Sequence, residues 1–93
     1  MLTKSVYHLR HGVQVRSENF GLLFYHHAGP KLYFVPSRDL IDASFFYGES
    51  TLAGLIGAVR DKRGWSEETA RLRILSILRL LKSRGLVYEQ PAC

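Results

Sequence analysis

The spacing of apolar and polar positions changes partway along the chain. In the first part, Val13-Gln14-Val15-Arg16 alternates apolar with polar, the two-residue repeat of a half-buried strand. Phe20-Gly21-Leu22-Leu23-Phe24-Tyr25 and Lys31-Leu32-Tyr33-Phe34-Val35 are apolar at successive positions, hence on both faces. Between them His26-His27-Ala28-Gly29-Pro30 carries the Gly-Pro signal of a turn. Pro36 ends the third run, because it has no N–H to give a ladder. Connections this short predict an antiparallel meander with the third strand at an edge. Val6-Tyr7-His8-Leu9 is extended in pattern, and the local sequence leaves its pairing open.

From Ser37 onward the spacing turns helical. Ser37 can cap a first helix through Leu40, Ile41, Ala43, Ser44 and Phe45, broken by Gly48. Ser50 can cap a second, with Leu52, Leu55, Ile56 and Val59 at helical spacing and Gly64 at its end. Gly54 and Gly57 weaken that helix or let a neighbour come close. The third helix has the clearest ends. Ser66 is a good N-cap, Glu67 and Glu68 suit the positive end of the helix dipole, and Trp65 is placed to staple onto Ala70. Lys82, Arg84 and Gly85 close it, and Leu86-Val87-Tyr88 reads as a short extended tail. The order is α+β: a three-stranded antiparallel sheet followed by three helices, in residues 1–93 as one small domain.

At 100° per residue the third helix separates two apolar groups. Ala70, Ile74, Leu78 and Leu81 share a core face, with Ile77 at its margin. Arg73, Leu80 and Arg84 form a second stripe nearly opposite, bordered by Ile77. A single surface leucine needs no explanation. A leucine between guanidinium groups, however, also suits a ligand with both apolar and carboxylate side chains. The sheet raises a related question, since helices cover only one face of it. Either the N-terminal segment or a second copy of the chain, as a homodimer, covers the other face, or a partner docks there. The edge strand has Lys31 as its one gatekeeper, and an edge beside a helix is the usual setting for adding a peptide as a further strand.

Charge sharpens the choice of partner. The chain has 13 Lys and Arg against 8 Asp and Glu, a net charge of +5, which favours encounter with anionic partners of any kind. The apolar runs are too short to cross a bilayer, and no signal-peptide core precedes them. One cysteine, Cys93, cannot form an internal disulfide and fits a reducing cytoplasm. Asp39 and Asp42 read as a solvated helix start, and His8, His11, His26 and His27 lack metal-ligand spacing. No nucleophile and base pair off, and no phosphate loop is present. Neither an enzyme nor a cofactor is therefore expected.

The block Gly12-Val13-Gln14-Val15-Arg16-Ser17-Glu18-Asn19-Phe20-Gly21-Leu22-Leu23-Phe24-Tyr25, with Gly29-Pro30-Lys31-Leu32-Tyr33-Phe34-Val35-Pro36-Ser37, resembles the PqqD-like RiPP recognition elements in their mycofactocin, MftB-like branch. The ending Leu80-Leu81-Lys82-Ser83-Arg84-Gly85-Leu86-Val87 is similar too, though shared by many winged-helix proteins. The resemblance implies a winged-helix-like peptide chaperone. Such a domain binds the leader of an acidic, ribosomally made precursor peptide and presents it to a radical-SAM maturation enzyme. By position, the groove would use Lys31, Leu32, Tyr33, Phe34 and Val35 together with Arg73, Ile77, Leu80 and Arg84. The alternative is a DNA-binding winged helix. Against it, Glu67 and Glu68 stand where a recognition helix would meet phosphates, and the strands precede the helices instead of forming a wing after them.

Overall fold

The computed structural model describes residues 4–27, 31–37, 40–48 and 50–90. The expected meander is present. β2 (Val13–Glu18), β3 (Gly21–His26) and β4 (Lys31–Val35) pair antiparallel in chain order, preceded by β1 (Val6–Leu9). Phe20 falls in the β2–β3 turn, where it is exposed. Cross-strand rows run Val15–Phe24–Tyr33 and Ser17–Leu22–Val35 on the inner face, and Gln14–Tyr25–Leu32 and Arg16–Leu23–Phe34 on the outer. Gly21 is required by packing. A Cβ there would fall on the Val35 carbonyl oxygen and 2.7 Å from the Ser37 nitrogen, so any side chain would push away the segment leaving β4.

The pairing that the local sequence left open joins the two ends of the fold. β1 pairs antiparallel with β5 (Val87–Gln90), in the register Val6 with Gln90 through Leu9 with Val87. The N-terminal strand therefore does not cover the outer face of the meander. It forms a second, two-stranded sheet, with Tyr7 and Val87 buried beneath it. Burial raises the Tyr7 hydroxyl pKa, Glu89 adds to the rise, and Arg79 opposes it.

The expected three helices reduce to two. The segment after Ser37 forms only a 3-10 helix, Ala43–Phe46, and Arg38 and Asp39 lie outside the described residues. Two anchors restrict its length. Asp42 caps it by accepting from the Ala43 N–H at 2.9 Å, while holding the Ser17 and Ser44 hydroxyls at 2.8 and 3.0 Å. Those hydroxyl bonds, Ser17's first, lower the Asp42 pKa. At the other end Tyr47 bridges to His8, and Gly48 takes positive φ with the His8 ring where its side chain would be. A single turn is all that fits between, and the tighter helix closes it. Phe45 and Phe46 are both buried from it, Phe46 edge-on to Phe24 at 5.6 Å.

α1 (Leu52–Arg63) is capped by Thr51, one residue later than expected, whose hydroxyl accepts from the Gly54 N–H at 3.1 Å. This start places fully buried Leu52 first in the helix, with its N–H donating to the Ser5 carbonyl at 2.8 Å. Gly54 and Gly57 do not mark a close helix contact, since a Cβ at either would meet only ordinary neighbours. α2 (Glu67–Ser83) follows its signals. Ser66 accepts from the Thr69 N–H at 3.1 Å, and Gly85 ends it with positive φ. Its buried residues are Ala70, Ile74, Leu75, Leu78 and Leu81, the predicted core face plus Leu75. They meet Leu22, Phe24, Val35, Ile56, Val59 and Val87 in one core.

Candidate functional site

β4 is the last strand of the meander, paired with β3 on one side and with no strand on the other among the described residues. Its faces differ because successive side chains point in opposite directions. Val35 is buried and Tyr33 half-buried towards the core, whereas Leu32 is 66% and Phe34 48% exposed on the outer face. Lys31 opens the strand opposite His26, and its side chain lies outside the described residues.

α2 lies alongside this edge. The Arg84 guanidinium sits over the Tyr33 ring, 5.1 Å from its centroid. About three helical turns away, Arg73 shares a cleft with Pro36 and Ser37, where the chain leaves β4. Helix and strand therefore run in opposite directions. Between the arginines, Ile77 packs partly buried against the core and Leu80 is 42% exposed. From Arg73 to Arg84 a helix advances about 16 Å, close to the span of a five-residue strand. The structure thus brings Tyr33 and Arg84 together, packs Ile77 partly against the core, leaves Leu80 exposed, and puts Arg73 at the strand exit. The opposite flank of the helix is different. Leu75 is buried, and Arg79 acts electrostatically on Tyr7 beneath β1.

Two features were not legible as sites. Trp65, read as a staple, lies between two cations, with Arg63 and Arg73 at 5.8 and 5.9 Å from its ring centroid. The outer sheet face holds an open cavity of about 280 Å³ lined by Gln14, Val15, Arg16, Leu23, Tyr25 and Leu32. Its apolar positions were visible in the strand pattern, but their coming together depends on the cross-strand register.

Among the described residues no group of three or more His, Cys, Asp or Glu is placed to hold a metal ion. His8 hydrogen-bonds Gln90 at 2.7 Å and stacks on Tyr88 at 5.4 Å. No helix among them is long and apolar enough to cross a membrane. A profile of the peptide chaperone MftB family matches residues 6–87, from the start of β1 to the start of β5. The chain belongs to the peptide chaperone MftB family. No curated protein and no solved structure matches it significantly. Membership in the MftB family makes a peptide the ligand class against which the β4 edge and the α2 stripe are to be read, and places the protein in a family of peptide chaperones.

Proposed function

We propose that this protein binds the leader of a mycofactocin-type precursor peptide as an added strand on β4, and presents it to a radical-SAM maturase in the cytoplasm. The observation that carries this reading is an open edge strand lying beside an arginine-bearing helix stripe in a member of a peptide chaperone family. The winged-helix-like arrangement of RiPP recognition elements is part of the same reading. Backbone groups of residues 31–35 would pair with the leader, and Ile77 and Leu80 would receive its apolar side chains. Arg73 and Arg84 would attract its carboxylates. A DNA-reading role has less support, because the start of α2 exposes Glu67 and Glu68.

A titration with the acidic peptide encoded beside the maturase tests the reading. Phe34→Pro removes one backbone donor from the free edge, since the register turns the Tyr33 N–H inward to Phe24 of β3 and the Phe34 N–H outward. It should weaken binding at least tenfold while circular dichroism shows both helices intact, and normal binding by that folded variant would exclude strand addition. Each half-exposed arginine–carboxylate contact is worth only about 0.5–1 kcal/mol after solvent screening. Enclosing the remaining exposed part of Leu80 is worth about 1 kcal/mol. Leu80→Ala should therefore raise the dissociation rate, whereas the double variant Arg73→Ala, Arg84→Ala should slow association and flatten its salt dependence in stopped-flow traces.

A further inference from the structure

The two faces of β4 would offer an added strand different chemistry, and the register fixes which backbone groups bring it there. The His27 N–H donates to the Gly12 carbonyl at 2.9 Å, one step beyond the Val13–His26 pair. Hydrogen-bonded pairs recur at every second residue of an antiparallel ladder. β3 therefore turns the backbone groups of Leu22, Phe24 and His26 towards β4, where they meet those of Val35, Tyr33 and Lys31. The backbone groups left on the free edge are those of Leu32 and Phe34. Two residues to either side the sequence has proline, Pro30 and Pro36, which has no N–H to give. An added strand thus finds two edge donors, and a short window fixed on the protein.

Side chains directly across a ladder share a face, whichever way the added strand runs. Peptide residues opposite Leu32 and Phe34 would lie on the outer face, and the residue between them, opposite Tyr33, on the inner face. On the outer face Leu32 and Phe34 are exposed beside Tyr25 and Leu23, and Leu32 lines the outer cavity with those two. Apolar side chains set against Leu32 and Phe34 would extend that surface. The inner face differs. There the Arg84 guanidinium lies over the Tyr33 ring, and it has no carboxylate partner among the described residues. Cation–π attraction holds the charge beside the strand, and its N–H donors suit a carboxylate.

We infer that the free edge of β4 reads a three-residue pattern in the bound peptide, apolar–acidic–apolar: the acid opposite Tyr33 meets Arg84, and its two neighbours pair with Leu32 and Phe34 on the outer face. The inference rests on the strand-addition reading above and adds sequence to it, since backbone pairing alone tolerates slippage by two residues. A second copy of β4 satisfies only part of the pattern. Paired about a two-fold axis at Tyr33, it would set Leu32 against Phe34 on the outer face. It would also face Tyr33 with Tyr33 and gather two Arg84 guanidinium groups on the inner side, where like charges repel. The arginine that attracts an acidic peptide thus opposes self-pairing of the edge.

A random dodecapeptide library displayed on phage, selected on the intact protein, tests this without knowledge of the natural ligand. Wild-type protein should enrich Glu or Asp flanked on both sides by an aliphatic or aromatic residue, within a β-prone run. Arg84→Gln should keep the flanking apolar pair and lose the acid. Leu32→Thr with Phe34→Thr keeps β-prone side chains on the edge, and should keep the acid and lose the apolar pair. Changing the acid of a selected peptide to its amide should weaken binding to wild type about two- to fivefold, and binding to Arg84→Gln hardly at all. A β-prone run in which acid and apolar residues hold no fixed alternation, or a pattern that neither variant alters, overturns the triad and leaves strand addition standing. Absence of any β-prone enrichment also removes the triad, and if Phe34→Pro then binds the acidic precursor as wild type does, strand addition falls with it.

Discussion

Glu89 is held from two directions. The Ser5 hydroxyl, fully buried, donates to one carboxylate oxygen at 2.7 Å, and the Lys82 ammonium reaches the other at 3.1 Å. The Ser5 bond is the main cause of a lowered Glu89 pKa; burial opposes it, and Lys82 adds a smaller lowering. A carboxyl with a depressed folded-state pKa contributes stability above its ordinary range and loses it as pH falls through the folded-state value. Ser5→Ala removes the larger cause. It should cost about 1 kcal/mol near neutrality. That cost should shrink as the pH is taken from neutrality down through the folded-state value of Glu89, below which the carboxyl is uncharged in both proteins. Thermal melts of the two proteins at neutrality and in acid check this. An undiminished difference in acid would mean that Ser5 acts through packing alone, for instance through its carbonyl bond to Leu52.

At the scale of elements, α2 both completes the core and borders the proposed groove. Ser66→Ala deletes its N-cap and should lower stability by about 1 kcal/mol in urea unfolding, with little change in the unfolding slope. An unchanged midpoint would show that Glu67 and Glu68 hold the helix start without the cap. The legibility of each element followed the range of the forces that make it. α2 was readable from end to end, since its cap, acidic first turn, core stripe and Gly85 are all local. The meander was readable because its connections are short. The first expected helix failed because its length is limited by Ser17 and His8, partners far along the chain. The Ser50 cap failed by one residue, because burial of Leu52 decides the frame. For the candidate site, the stripe Arg73, Ile77, Leu80 and Arg84 was visible on the helical wheel, and its neighbour Tyr33 in the strand pattern. The contact of Arg84 with Tyr33 was not, and neither was the cleft, which draws Ser37 and Leu40, Arg63 and Trp65, and Arg73 from three separate segments.

At the scale of the whole molecule, the pairing of β1 with β5 has a consequence for how the chain is made. Ser5 and Glu89 are 84 residues apart in sequence, so closing this sheet is the longest-range strand pairing among the described residues, and long-range pairing is slow. During synthesis β1 leaves the ribosome first and its partner strand follows after both helices. Tyr7, 3% exposed in the finished fold, has no β5 to cover it in the interval. Ribosome-bound chains arrested before β5 emerges should be cut by chymotrypsin after Tyr7, and chains with β5 fully outside should resist. Protection of the shorter chains would mean that Phe45, 5.8 Å from the Tyr7 ring, shelters it already. The meander with its open edge needs only residues 13–35 and can be complete while the nascent chain still lacks α2. Until α2 arrives, that edge is a bare strand with no helix beside it, open to pairing with any neighbouring nascent chain.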